Sequence, residues 1–544
     1  MSTYGIDLGT TYSCIAKLDD NGNPQVIPNQ EDASDTLASA VYFESEGNTV
    51  IGNSAKEYVE TDGDRVVQFI KREIGKSPEP REFFGKSYTP VEISALILKR
   101  LKQMAEDQGE KVENVVITCP AYFGLEERNA TKQAGELAGM NVLNIINEPT
   151  AAALNYCARK FQEEKNILVY DLGGGTFDVT IVKMSMHPGP DGKDVQKVKV
   201  VATGGNDQLG GKDWDDKLYE YILSKCCEEN GVQPDDIDVD TKQSIRSQVE
   251  KTKKKLSNVA SAKVKVNVNG SMTAVEITRE DFENMTADLV SQTMDYVQNV
   301  LEKSKNVEID TVLLVGGSTF MPMIRKAVED KFPGKVQIED PDRAVAKGAA
   351  IYASMIVDEE YDKQDSQSAD SAGSPAPKKK GSFALAASIT LEDQTPRSFG
   401  PGVLHGSNYD YVIDNIIKIG EVMPARVVKT YYTPDADMEK IELSAFESMS
   451  VAETVKPCID AEGNEQETDP DDLVKLLGTI ELPLPPHTKR GAEIEVTFEV
   501  NASGVYVKAM NKSTGDAVDA TLRMESDVDM DASAVKTTRV AADC

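Results

Sequence analysis

The sequence is short of histidine. It has three, at 187, 405 and 487, and none lies beside another metal-ligand residue, so His-ligated metal sites and Ser-His-Asp triads are not expected. Its seven cysteines (14, 119, 157, 226, 227, 458 and 544) form no C-x-x-C, and several sit in apolar runs such as Val115–Cys119. They read as reduced, buried thiols in a reducing compartment. No run of 18 apolar residues occurs, so no transmembrane helix is expected. Met1-Ser2-Thr3-Tyr4-Gly5 does not open a basic-then-apolar leader, which points to the cytoplasm. A basic excess is also missing. The 59 Lys and Arg face 91 Asp and Glu, for a net charge of −32, which argues against nucleic-acid and anionic-membrane partners. That balance leaves room for one nucleotide, because a few oriented amides and one lysine can hold phosphates locally. G-x-x-x-x-G-K-[ST] and G-x-G-x-x-G are absent too, which removes support for P-loop and Rossmann readings.

What is present is 544 residues with 40% hydrophobic and 28% charged side chains, a soluble globular composition long enough for two or three domains. Residues 362–382 carry Ser, Asp, Lys, Pro and Ala with almost nothing to bury, and read as a flexible polar linker. Before it, apolar strands alternate with helices: strands at 115–119, 142–146, 166–170 and 311–315, and helices at 126–138, from 148, 212–228, 241–257, 280–304 and 342–356. Ile245, Val249, Thr252 and Leu256 fall on one helical stripe. This is an α/β pattern with sheets covered on both faces. After the linker the period becomes two, as in Ile494–Val500 and Lys440–Ser444, with turn signals between short strands, an antiparallel β-sandwich pattern. The expected organisation is residues 1–361, linker 362–382, β-sandwich 383–526 and an acidic tail 527–544.

The α/β half contains an internal echo. Gly5-Ile-Asp7-Leu-Gly9-Thr10-Thr11 and Tyr170-Asp171-Leu-Gly173-Gly174-Gly175-Thr176 each run from an apolar strand through Asp into a small-residue hairpin. Glycines let backbone N–H groups approach a phosphate, and a strand-end Asp suits a hydrated Mg²⁺. Two such turns face to face would clamp a polyphosphate, and hairpin chemistry alone demands no Asp. Val315-Gly316-Gly317-Ser318 is a third turn after an apolar strand, and strand ends are where α/β sheets bind ligands.

These segments, with Lys71-Arg72, Pro120–Phe123, Asn147–Ala153, Leu209–Asp215 and Pro341–Ala350, make the chain resemble the 70-kilodalton heat-shock chaperone family. The resemblance spans residues 4–355 in order. It implies an actin-like, two-lobed α/β ATPase domain followed by a β-sandwich substrate-binding domain, with ATP or ADP, Mg²⁺ and, as a further candidate, K⁺. Gly9, Thr10, Thr11 and Tyr12 match one phosphate loop, and Gly174, Gly175 and Thr176 the other. Lys71 matches the lysine at the γ-phosphate. Glu148, Asp171 and Asp178, with Thr176, match the groups that orient the attacking water and the metal shell. Asp7 and Asp171 would reach the metal through water. Glu250, Lys253, Lys254 and Ser257 match the base and ribose side, together with Gly316, Gly317, Ser318, Phe320 and Asp342. The family's two adenine-clamping arginines correspond to Lys254 and Phe320; Phe offers a stacking face, and Lys lacks the flat guanidinium. Pro120 and Arg128 match a relay toward the β domain. Leu404 and Ile441 are the candidates for the peptide cleft, each equally open to a place in the sandwich core, with Val412, Ile413, Ile416 and Ile417 as a further apolar cluster.

Three departures lie outside the ATP site, one of them the poor match of the peptide-cleft residues. The linker lacks the short acidic-aliphatic segment that docks on the nucleotide domain, and no helical lid is expected after the last strand. The function implied is an ATP-dependent chaperone for unfolded or extended polypeptides, working with a J-domain co-chaperone and a nucleotide exchange factor. The alternative is an ATP-binding co-chaperone or adaptor with little turnover. A small-molecule kinase of the same fold would leave the β half unexplained.

Overall fold

The computed structural model describes residues 2–31, 33–76, 78–159, 164–188, 194–368, 389–392, 394–406, 409–461, 463–469, 472–501 and 504–522. The expected tail 527–544 and residues 369–388 of and beyond the expected linker lie outside them. The chain divides into two compact units, residues 1–122 with 130–391, and residues 123–129 with 392–544.

The first unit holds two mixed sheets that repeat one topology. In one, β1 (Thr3–Asp7) pairs antiparallel with β2 (Tyr12–Leu18) and parallel with β4 (Asn114–Cys119). Beyond these lie β3 (Pro24–Val26) and β5 (Asn141–Asn147), giving the order β5-β4-β1-β2-β3. In the other, β6 (Lys165–Leu172) pairs antiparallel with β7 (Phe177–Pro188) and parallel with β9 (Thr311–Val315). With β8 (Asp194–Asn206) and β10 (Val336–Ile338) the order is β10-β9-β6-β7-β8. The central strands are buried along most of their length, which is why they read as unbroken apolar runs and not as alternations.

Small residues set the helix packing. A Cβ on Gly5 would overlap the backbone of Ala346 and Ala350, and one on Gly348 would overlap the backbone of Ala151. The helix α1 (Ala344–Ser368), rich in Ala at its start and with Gly348 at the contact, therefore lies backbone-close to β1 and to the helix Glu148–Arg159. The helix Val239–Leu256 buries Ile245, Val249, Thr252 and Leu256, the stripe read from spacing.

Three expectations change. The helix expected at 280–304 is two, Arg279–Met285 and Ala287–Lys303, broken at the buried Thr286, whose hydroxyl donates to the Phe282 carbonyl at 2.7 Å. The helix expected to end at 356 continues to Ser368, into the expected linker. A short strand just beyond the expected linker was not expected. Ile389–Glu392 forms β11 beside β8, and Leu391 packs on the core of Ile167, Val169 and Val182. Composition bounded the linker at 382, so this short apolar stretch just beyond it escaped notice.

In the second unit two antiparallel sheets carry the core. One includes Ser398–His405, Asp410–Asp414, Lys440–Ser448 and Lys475–Pro483; the other comprises Ala425–Tyr432, Glu493–Asn501, Gly504–Asn511 and Ala517–Leu522. Phe399, Tyr431, Leu443, Phe498 and Val507 fill the space. Lys440–Ser444 was expected to alternate, yet Glu442 and Ser444 are buried as well; Lys440 pairs with Glu442 at 2.7 Å and Ser444 bonds Thr479 at 2.9 Å. No helix among the described residues is long and apolar enough to cross a membrane.

Candidate functional site

The two Asp-glycine hairpins meet. Gly9 is required because a Cβ there would overlap the Tyr12 carbonyl, within its own turn. The second turn needs glycine for another reason: a Cβ on Gly174 would strike the Thr11 hydroxyl, and one on Gly175 the Thr10 side chain. The side chains of the first turn thus fill the space left by the second. Arg72 Nε donates to the Gly175 carbonyl at 2.8 Å and its Nη2 to Asp213 at 2.7 Å, bracing the second turn. Ser318, from the third turn, donates to the Gly173 carbonyl at 2.8 Å.

These turns open on a cleft of about 930 Å³, the size of a small-molecule site. Of the sequence-selected residues, Asp7, Gly9, Thr10, Thr11, Tyr12, Lys71, Glu148, Asp171, Gly174 and Thr176 line it. So do Glu250, Lys253, Lys254, Ser257, Gly316, Gly317, Ser318, Phe320 and Asp342. Gly175 and Asp178 do not line it. Gly175 is covered by Thr10, and Asp178 lies behind the wall, 1% exposed, with one oxygen accepting from Ala121 N at 2.9 Å.

The floor is a charge cluster. Lys71 is buried and ion-paired with Glu148. Burial works against its charge, but Glu148 and Asp7 outweigh it and hold its pKa up. Burial and the nearby Glu148 raise the Asp7 carboxyl to about 7, and lift Asp171 and Asp178 well above the usual carboxylate range. Phe69 presents Lys71 from a left-handed backbone, φ 61°, a conformation that costs a bulky residue roughly 1–3 kcal/mol. The Thr11 hydroxyl is buried without a hydrogen-bond partner among the described residues.

At the other wall, Tyr12 donates to Glu250 at 2.9 Å and accepts from Lys56 at 3.2 Å and Lys254 at 2.9 Å. Burial raises the Glu250 carboxyl, but Lys56 and Lys254 outweigh that and hold it far below the usual range. Lys253 donates to Gly211 O at 2.6 Å and to Asp215 at 2.7 Å. Phe320 is 43% exposed, and the Arg325 guanidinium lies 5.5 Å from its ring centre. A flat ligand could cover the free face of that ring.

Sequence reasoning missed Lys56, Phe69, Lys212 and Arg325. Lys212 stands inside the quoted Leu209–Asp215 motif, and Arg325 is one helical turn and a half past Phe320; Lys56 and Phe69 carry no local signal. Pro120 follows β4, and Arg128, on the helix Leu125–Leu137, donates to the Phe123 carbonyl at 3.0 Å. Leu404 is half-buried. Ile441 and Ile417 are fully buried in the sandwich core, and Ile413 is fully buried in a smaller cluster with Phe446 and Val455; of the two readings of Ile441, cleft or core, its burial on a strand covered on both faces favours core. Val412 and Ile416 are half-buried against that core.

A family model described as Hsp70 protein matches residues 3–83 and 80–367. The Chaperone protein DnaK of Thermosipho melanesiensis is 35% identical over 524 residues, which cover 94% of this chain and 78% of that protein. The Chaperone protein DnaK of Thermosipho africanus is 36% identical over 524 residues, with the same coverage.

Proposed function

The chain belongs to the Hsp70 family, and from that premise we propose that it is an ATP-dependent molecular chaperone whose cleft binds and hydrolyses ATP. The observation that carries the reading is the contact between two Asp-glycine hairpins across a cleft of about 930 Å³ with Lys71 and Glu148 on its floor. The residues fit a nucleotide triphosphate. The glycines leave backbone room, the Thr11 hydroxyl lacks a partner among the described residues and Phe320 offers a ring. They also fit Mg²⁺, which keeps several waters and takes one or two carboxylates, here Asp7 and Asp171. When bound, the ion neutralises phosphate charge.

In this reading Gly9, Thr10, Thr11 and Tyr12 hold the phosphates from one side, and Gly174, Thr176 and Gly317 from the other. Lys71 stabilises charge developing on the transferred phosphoryl group. Glu148 holds Lys71 in place and, with Asp171, orients the attacking water; Asp178 acts from behind the wall through the Ala121 backbone. Phosphoryl transfer needs positioning more than a strong base, so shared carboxylates suffice. Glu250, Lys253, Lys254 and Ser257 hold the ribose side and Phe320 stacks on the base. Residues 1–361 would form the two-lobed actin-like domain and 383–526 a β-sandwich for unfolded or extended polypeptides. Pro120 and Arg128 would pass nucleotide state between them, and a J-domain protein and an exchange factor would drive the cycle.

Single-turnover ATP hydrolysis, with and without an unfolded peptide, tests this. Turnover stimulated by peptide and strongly slowed in Lys71→Ala is expected. Tight ATP binding without turnover would favour an adaptor.

A further inference from the structure

We propose that Lys212 is a second cation at the phosphate end of the cleft and that it favours nucleoside triphosphates over diphosphates by engaging the terminal phosphate. This rests on the nucleotide reading above and deepens it.

The charge balance asks for such a group. Asp7, Glu148 and Asp171 line the floor with Lys71, and Lys71 is already paired with Glu148. A triphosphate entering there meets the oxygens of three carboxyl groups beside a lysine that is already paired.

Lys212 is fixed beside the second turn. It stands in the first turn of the helix Gly211–Asn230, where Gly211 N donates to Gly173 O at 3.0 Å and Lys212 N to Gly174 O at 2.8 Å. A Cβ on Gly210 would overlap the Gly175 backbone, so the helix start sits directly on that turn. The Lys212 side chain lines the cleft, and its ammonium lies 5.8 Å from the ring centre of Phe69, on the opposite strand-to-helix corner that carries Lys71.

Among the described lysines that line the cleft, it is also the one that a ligand can most readily recruit. Lys253 is 9% exposed and bound to Gly211 O and Asp215, while Lys254 is bound to Tyr12 and Glu250. Lys212 pairs with Asp216, one turn along its own helix, where the carboxylate is 60% exposed. An exposed pair at that spacing contributes little, so a phosphate displaces it at small loss. A lysine carries three donors on a flexible stem, suited to following a terminal phosphate.

The test is equilibrium dialysis of Mg·ATP and Mg·ADP against the full chain and its Lys212→Ala, Lys212→Glu and Lys212→Arg variants. Lys212→Ala should weaken ATP about tenfold, the scale of one hydrogen bond to a charged group, and ADP less than about threefold. Lys212→Glu should weaken ATP further, and Lys212→Arg should restore it. Equal losses for both nucleotides, or no loss, overturn the inference while leaving the nucleotide reading intact. Wild-type protein that binds neither nucleotide overturns both.

Discussion

The two hairpins that close the cleft share a topology and divide the work. In the first, between β1 and β2, threonine side chains project and one glycine suffices, set by its own turn. In the second, between β6 and β7, Gly174 and Gly175 are held to glycine because Thr11 and Thr10 occupy the space their side chains would need, whereas a Cβ on Gly173 would make only ordinary contact with Thr176. One turn presents hydroxyls and the other presents backbone. The lesson is that glycine in the second turn is dictated by the first, 160-odd residues away in sequence.

That difference can be broken from either side, and the largest effect should come from the second turn. Gly174→Val should reduce Mg·ATP affinity by at least about 100-fold by calorimetry, since the branched side chain must displace Thr11. A variant that binds normally would mean the turns do not need to meet. Lys71→Ala should slow single-turnover hydrolysis by roughly 10²–10³-fold, the range for removing one preorganised charge-stabilising group. Unchanged turnover would move the chemistry elsewhere. Thr11→Val, which keeps the shape and removes the unpartnered hydroxyl, should weaken ATP by only about tenfold; a loss as large as that of Gly174→Val would put both turns on the same footing.

The carboxylates of the two hairpins offer a finer contrast through pH. Asp7 has a native pKa raised to about 7, so the fold binds its proton more tightly than the unfolded chain does. Its contribution to stability is present below the ordinary carboxylate range and is lost as pH rises through about 7. Nucleotide-free protein should therefore melt lower at pH 8 than at pH 5. Asp7→Asn should raise the pH 8 melting point by about 2–4 °C and leave pH 5 nearly unchanged. A variant whose melting curve shifts equally at both values would contradict the buried, protonated Asp7.

Much of this site was legible because its signals are local. Asp7, Gly9, Asp171 and Gly174 fall at strand ends in repeated motifs, and the buried stripe of the helix 239–256 follows from spacing alone. Long-range facts were not legible. Nothing near Asp178 in sequence tells that the Ala121 amide turns it away from the cleft. Ile441 looks like any apolar strand residue, and only the covering of both faces of Lys440–Ser448 decides that it is core. The strand at Ile389–Glu392 was hidden because four residues carry too little pattern, and its partner β8 lies far away in the chain.

Calorimetric titration of Mg·ATP into the purified full chain tests the opposed-hairpin account most directly. The account predicts saturable binding at one site per chain, lost in Gly174→Val. Absence of any binding heat for the wild type, confirmed by dialysis, would contradict it.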